Sequence, residues 1–490
     1  MTAPALPFDN SYARLPARFY ARLDPTPVRK PGLLRVNRPL SKALGIDPDW
    51  LASEAGVAVV AGNAVPEGAE PLAAAYAGHQ FGQYNPQLGD GRALLLGELV
   101  DGDGRRFDLQ LKGSGPTPWS RGGDGRSPLG PVLREYLVSE GMYALGVPTT
   151  RALAAVTTGE RVMRNGIEPG AVLARVASSH IRVGTFQYFA VRDDREALET
   201  LLDHVLKRHY PDLAGADNPA LAVLEAVIAR QAGLIASWQH LGFIHGVMNT
   251  DNMLLCGETV DYGPCAFMEA FHPETVFSSI DHGGRYAYQN QPGIAHWNLV
   301  RFAETLLPLL HADQDEAIAL AQAALGAFPR QFGEAHAAGL ARKLGLAALR
   351  PDDDGLVEDF FAALAEDGAD FTLAFRYLSE YDGPEASGLE ALFQPGAALT
   401  AWLPRWQERV AADGADPDLR RAGQRSANPV FIPRNHLVQA AIEAAEGGDL
   451  APFHRLAERV ADPYRWASAD ADLARPARPE EQVLRTFCGT

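Results

Sequence analysis

From Tyr76 to about Phe189, glycine and β-branched or apolar strand patterns dominate, and in Phe107–Lys112 apolar and polar residues alternate with the period of two that sends successive side chains to opposite faces of a strand. The clearest hairpin is Ala93–Val100 followed by Arg105–Gly113. Between them, Asp101-Gly102-Asp103-Gly104 supplies the positive-φ residues that a tight hairpin turn requires. A second hairpin is predicted around Thr158-Gly159, with a strand-like run over Val172–Ala177. Between the hairpins the spacing turns helical from Pro131 to Leu145, with proline in the first turn and Gly146 just past the end. From about Ala197 helical spacing dominates, through Leu198, Leu201, Leu202 and Val205, then Leu221–Leu241, Ala317–Ala327 and Leu437–Ala445. One loop-rich interruption runs from His245 to about Pro292. Residues 1 to about 75 are punctuated by proline, with one predicted helix near Ser41–Leu44, and the chain has no internal repeat.

Strands enclosing one helix, followed by helices around a loop cluster, predict an α+β fold of the two-lobed, protein-kinase-like kind. The expected divisions are an N-terminal extension (1–75), a strand-rich N-lobe with a nucleotide-binding loop (76–190), a mostly helical C-lobe with catalytic and metal-binding loops (191–396), and a helical C-terminal region (397–490). Length agrees with more than one lobe: the chain has 490 residues, 47% of them hydrophobic, and single cores stop growing near ~250–300 residues.

Charge narrows the partners. A formal net charge of −17 repels nucleic-acid phosphates, so DNA and RNA are not expected partners, although a local basic pocket for a nucleotide remains open. Three cysteines, Cys256, Cys265 and Cys488, are too few for a disulfide framework and fit no zinc spacing. They read as reduced thiols, with Cys488 in the tail as a candidate reactive one. The first twenty residues lack the apolar core of a signal peptide, and no stretch reads as the ~20 apolar residues of a membrane span. The expectation is a soluble cytoplasmic enzyme without a membrane partner.

Candidate chemistry begins at Gln87-Leu88-Gly89-Asp90-Gly91-Arg92. Gly89 and Gly91 allow backbone amides to approach phosphate, and Arg92 adds a cation, although many Gly-Asp-Gly runs are only turns. In the strand Phe107-Asp108-Leu109-Gln110-Leu111-Lys112, the apolar positions face a core and Lys112 emerges opposite them. A lysine there, downstream of a Gly-rich loop, matches the kinase lysine that grips nucleotide phosphates. Such a lysine needs a helix carboxylate, and Pro131–Leu145 offers Glu135 and Glu140; periodicity does not choose between them. Arg175 and Arg182, at the end of the strand-like run, suit bidentate phosphate contacts or ordinary surface pairing.

The second half carries a longer signal. In His245-Gly246-Val247-Met248-Asn249-Thr250-Asp251-Asn252, His245 and Asn252 keep the spacing of a kinase catalytic loop, and Asp261-Tyr262-Gly263 stands where such enzymes have Asp-Phe-Gly. Asn252 and Asp261 offer oxygen ligands suited to Mg²⁺. Val247 occupies the place of the catalytic aspartate and cannot accept a proton, whereas Asp251 lies one helical turn further on. Three readings follow: a transfer shifted by the displaced base, an ordinary γ-phosphoryl transfer, and a non-catalytic ATP-binding scaffold.

Tyr76-Ala77-Gly78-His79-Gln80-Phe81-Gly82, Leu109-Gln110-Leu111-Lys112-Gly113-Ser114-Gly115, His245 through Met253, and Ser426-Ala427-Asn428-Pro429 with Arg434-Asn435-His436 together resemble the selenoprotein O family over nearly the whole chain. The resemblance implies a kinase-fold protein adenylyltransferase that binds ATP in a flipped orientation and moves AMP to Ser, Thr or Tyr hydroxyls of proteins. It implies Asp251 as proton acceptor and Asn252 and Asp261 as ligands of Mg²⁺ or Mn²⁺. It implies an ATP site of Gly89, Gly91, Arg92, Lys112, Asp124, Gly125, Arg175, Arg182 and Asp261, with Glu135 as the partner of Lys112. Some relatives carry selenocysteine near the C-terminus, where this chain has Cys488, and bacterial-type relatives also transfer UMP when Mn²⁺ is present.

Overall fold

Alternating strands are covered on both faces in this protein, so the first half of the chain builds a layered body rather than a one-sided sheet. The computed structural model describes residues 6–164, 166–381, 388–394 and 396–487; Cys488 lies outside them. Strands β1 (Tyr20–Arg22), β2 (Gly32–Val36) and β3 (Leu72–Ala74) precede a small hairpin, β4 (Gly78–Gln80) and β5 (Gln83–Asn85). After it come β6 (Ala93–Val100), β7 (Arg106–Lys112), β8 (Ser127–Pro128), β9 (Arg151–Met163) and β10 (Ile167–Ala177). Apart from the β4–β5 hairpin, these form one antiparallel sheet of order β1-β3-β6-β7-β10-β9-β2, with β8 paired to β10. The β6–β7 hairpin turns through Asp101–Gly104 as expected, although only Gly104 of these four has positive φ, and Asp101 Oδ1 accepts from the Asp103 and Arg105 amides.

The second hairpin turns elsewhere. Its turn lies between Met163 and Ile167, and Thr158-Gly159 sits inside β9. Gly159 has φ +68° there, close to a register shift opposite Pro169–Ala171. A Cβ on it would stand 2.6 Å from Lys30 Cβ and 2.7 Å from the Lys30 carbonyl. The glycine marks a bulge over which another backbone passes, not a chain reversal.

One face of the sheet packs Leu109, Leu111, Val172 and Val176 against three short helices, α1 (Arg38–Ala43), α2 (Pro48–Ala52) and α3 (Glu54–Val60). The other face packs Ala152, Ala155, Ala171 and Leu173 against α4 (Leu129–Ala144), the helix expected over Pro131–Leu145. The helical half follows: α5 (Val183–Ala190), α6 (Arg195–His209), α7 (Pro219–Leu241), the short pair β11 (Phe243–Ile244) and β12 (Ala266–Phe267), and α8 (Gln291–Leu310). Next are α9 (Gln314–Leu325), α10 (Phe328–Leu344), α11 (Asp354–Glu366), α12 (Phe371–Ser379), α13 (Ala397–Ala411), α14 (Pro417–Ala427), α15 (Asn435–Glu446), α16 (Ala451–Val460) and α17 (Ala471–Ala474). Helix α7 starts at an Asn218 cap and ends at Gly242 in the left-handed region. By length and composition it meets the test for a membrane span that the sequence reading found nowhere, with a window of mean hydropathy 1.5. Here Val223, Leu224, Val227, Ile228 and Ile235 lie buried among α6, α8 and α9, as in the central helix of a packed interior.

Packing crosses two of the expected divisions. Three strands before residue 75 belong to the main sheet, because a short strand cannot satisfy its backbone groups alone. The boundary at 396 also cuts through a core, since Trp402 of α13 packs against Phe360 of α11 with ring centroids 4.5 Å apart and the rings tilted by 33°. The chain then returns, and α15 and α16 cover the outer side of α4. Phe453 meets the Tyr136 ring edge to face at 5.6 Å, and Val438, Ile442, Leu456 and Val460 complete the layer. Phe453→Ala is therefore expected to cost about 3–5 kcal/mol, measured as the loss in urea unfolding free energy; a loss under about 1 kcal/mol would show that α16 only rests on α4.

Candidate active site

A cavity of about 680 Å³ opens between the sheet and the helical half. Its centre is a group of charges that burial forces together. Lys112, the last residue of β7, donates to Glu135 Oε2 at 2.6 Å and to Asp261 Oδ1 at 2.7 Å. Arg175 of β10 donates from Nη1 to Glu135 Oε1 at 3.0 Å and to Asp261 Oδ1 at 2.6 Å. Its Nε and Nη2 are held by Gln110 Oε1, its neighbour across the sheet. Arg182, which precedes α5, donates from one Nη to Asp261 Oδ2 at 2.9 Å and to the Asp251 carbonyl, and its guanidinium lies 4.7 Å from the centre of the Tyr76 ring. Burial alone would raise the Asp261 carboxyl, but Lys112, Arg175 and Arg182 outweigh it and hold the group well below the usual carboxylate range. The same contest, settled by Lys112 and Arg175, lowers Glu135.

Glu140, the other helix carboxylate, is turned away. It takes a bidentate Arg151 at 2.9 and 2.6 Å and the Asn37 amide, and so anchors α4 to β9. Helical spacing could not separate the two glutamates, because both faces of α4 are covered.

The loop after β11 is fixed by His245, which is buried and stacked on Trp238. Burial lowers its pKa. The neutral ring accepts the Val247 amide at Nδ1 and donates from Nε2 to the Val260 carbonyl at 2.8 Å, tying this loop to the Asp261 turn. Asp261 itself sits at φ +62°, a strained value for a residue that is not glycine and one commonly found at working sites. Asn252 donates from Nδ2 to the Val247 carbonyl at 2.9 Å, so its Oδ1 lies on the opposite edge of the amide. Asn252 and Asp261 line one cavity. Among the described residues no group of three His, Cys, Asp or Glu side chains forms a metal cage. Two protein oxygens fit a cation whose remaining ligands are phosphate oxygens and water, as Mg²⁺ prefers.

Asp251 is buried, and burial pushes its carboxyl up to about 6, against the pull of Arg182. Its Oδ2 accepts from Gln80 Nε2 at 3.1 Å, while Oδ1 accepts no hydrogen bond among the described residues. Asp90 is likewise raised to about 6 by burial, again opposed by Arg182.

The expected loop residues also reach the cavity. Gly89, Gly91, Arg92, Asp124 and Gly125 line it. Gly89 has φ +79°, and a Cβ there would stand 2.3 Å from the Trp119 ring; a Cβ on Gly125 would stand 2.0 Å from the Gly115 carbonyl. Asp124 is held by a bidentate Arg164 at 2.8 and 3.1 Å, which brings the start of the β9–β10 turn to the stretch Arg121-Gly122-Gly123-Asp124-Gly125-Arg126.

A family model described as protein adenylyltransferase SelO matches residues 3–461. The protein nucleotidyltransferase YdiU of Rhodopseudomonas palustris (strain BisB5) is 60% identical over 487 residues, covering 99% of each chain. A relative with the same name from Alkalilimnicola ehrlichii is 57% identical over 490 residues, again covering 99% of each chain. The chain belongs to the SelO family. It is accordingly an enzyme, a nucleotidyltransferase.

Sequence reasoning missed Tyr76, Gln80, Asp90, Trp119, Asn249 and Arg164 as residues of this family member's cavity. Gln80 and Tyr76 lie in the first motif of the resemblance and Asp90 within the Gly-Asp-Gly run, so the signal was present without an assigned role. Arg164 carries no local signal; only the β9–β10 pairing brings it across. Because Arg175 compensates two buried carboxylates, Arg175→Met should cost about 3–5 kcal/mol of stability, read by urea unfolding. A loss below about 1 kcal/mol would mean that Lys112 and Arg182 suffice.

Proposed function

We propose that this protein transfers AMP from ATP to Ser, Thr or Tyr hydroxyls of other proteins, and that its fold is the two-lobed kinase-like one. The observation that carries the reading is the position of the carboxylate. Val247 faces the cavity where a kinase has its base, and Asp251, with one hydrogen-bonded oxygen and one buried oxygen that has no partner among the described residues, lines the same cavity beside Asn252. Family membership supports nucleotidyl rather than phosphoryl transfer.

In this reading Gly89, Gly91, Arg92, Asp124 and Gly125 hold the nucleotide, with Lys112, Arg175 and Arg182 about its phosphates. The acceptor hydroxyl oxygen attacks the α-phosphorus in line. Its proton passes to Asp251, the bond from the α-phosphorus to the bridging oxygen breaks, and pyrophosphate leaves with that electron pair. Asn252 and Asp261 would hold Mg²⁺ or Mn²⁺, which when bound supplies positive charge to the phosphate oxygens. The arginines do the same from the protein side, in surroundings where such contacts outweigh their strength in water. Glu135 keeps Lys112 in place. UTP with Mn²⁺ as a second donor belongs to the same proposal.

The test is labelling with ATP carrying the isotope on the α- or the γ-phosphate. Acceptor protein should take up α-label only; γ-label without α-label overturns the reading in favour of a kinase. Asp251→Asn should lower α-label transfer by about 10²–10⁴ with ATP binding retained, the usual contribution of a positioned proton acceptor. Wild-type transfer by that variant would remove Asp251 from the role.

A further inference from the structure

The motif Tyr76–Gly82 is left without a task by the nucleotide site, although it lies against the catalytic loop. Strands β4 and β5 pair with Gln80 opposite Gln83, leaving a two-residue turn, Phe81-Gly82, with φ +51° and +80°. Two positive φ values are those of the turn that matches strand twist, and Phe81 adopts its value at a cost that glycine would avoid. Two backbone hydrogen bonds fix this hairpin to the loop and a third ties it to Tyr286. The His79 amide donates to Thr250 Oγ1 at 2.7 Å. The Phe81 amide donates to Asn249 Oδ1 at 3.1 Å and to the Tyr286 hydroxyl oxygen at 3.2 Å. Tyr286 in turn donates to Asn249 Oδ1 at 2.7 Å. Gly78 completes the fit, since a Cβ there would stand 2.6 Å from Asp251 Oδ1.

Residues on both sides of Gln80 are thus pinned through their backbone to residues 249 and 250, and the Gln80 side chain reaches the next one, Asp251. Backbone anchoring alone would not require an amide there. A carboxylate turns about a broad, two-fold torsion, and the Asp251 backbone, held by Arg182 at its carbonyl, does not fix that torsion. Gln80 Nε2 is the one side-chain donor to the carboxylate among the described residues. It ties down Oδ2, while Oδ1 lies buried beside Gly78 without a partner among the described residues.

We propose that Gln80 is a positioning residue for nucleotidyl transfer: the β4–β5 hairpin carries its amide to Asp251 and sets which carboxylate oxygen meets the acceptor hydroxyl. The inference rests on Asp251 being the proton acceptor.

Gln80→Glu keeps the size of the side chain and removes the donor, and Gln80→Leu removes the polarity. Transfer of α-label from ATP to casein, ATP affinity by calorimetry and thermal melting are measured for both and for Asp251→Asn. Both Gln80 variants should lose at least about tenfold in kcat, with the ATP dissociation constant and melting temperature close to wild type. Adding Gln80→Leu to Asp251→Asn should cause no further loss, because the two act as one unit. A Gln80→Glu enzyme within about twofold of the wild-type kcat overturns the proposal. So does a tenfold further loss in the double variant, or a defect confined to ATP affinity. If Gln80→Leu fails to fold, the isosteric Gln80→Glu decides. Wild-type transfer by Asp251→Asn overturns the proton-acceptor reading and this inference with it; loss in Asp251→Asn beside an unimpaired Gln80→Glu overturns this inference alone.

Discussion

A carboxylate removed from water is costly unless opposite charge and hydrogen bonds replace the lost solvent, and Asp261 is such a group. Three cations serve it, from the end of β7, near the end of β10 and the residue before α5. Two of them also reach Glu135 on α4. No pair in this set can be shifted without leaving a charge uncompensated, so the register of β7 on β10, the approach of α4 and the path of the Asp261 turn are set together. The positive φ of Asp261 is tolerated because the surrounding contacts over-determine it.

The layers outside this cluster serve to hold it. Helix α4 is clamped between the sheet and the returning helices α15 and α16. Next to Glu135, Arg134 donates to Asn435 Oδ1 at 2.8 Å, and Asn435 donates to the Val483 carbonyl. Arg434, fully buried, takes Asp370 and Glu269 as partners, and Asn428 donates to the Lys343 carbonyl and to Ser379. The motifs around residues 426–436 therefore belong to the scaffold, where buried polar groups must find partners at fixed places.

The loop from His245 to Asn252 is held from both sides by different means. His245 and Asn252 bind it internally through main-chain carbonyls, and the β4–β5 hairpin covers it from the N-terminal part of the chain. Gly184 belongs to the same fit, since a Cβ there would stand 2.1 Å from the Ala77 carbonyl.

The sequence by itself determined the local pieces: the β6–β7 hairpin through its Asp-Gly turn, α4 through its proline start and Gly146 stop, Lys112 opposite the apolar face of its strand, and the spacing of His245, Asn252 and Asp261. Each follows from short-range rules of periodicity and turn conformation. Only the tertiary structure decided the rest. Glu135 prevailed over Glu140 because Arg151 and Asn37 on other elements claimed the latter. Gly159 proved a bulge because Lys30 passes over it, and α7 proved an interior helix because its neighbours bury it. Asp251 gained its partner from a hairpin about 170 residues away in the chain. These outcomes depend on which distant group the fold brings to a buried polar atom, and local pattern carries no record of that competition.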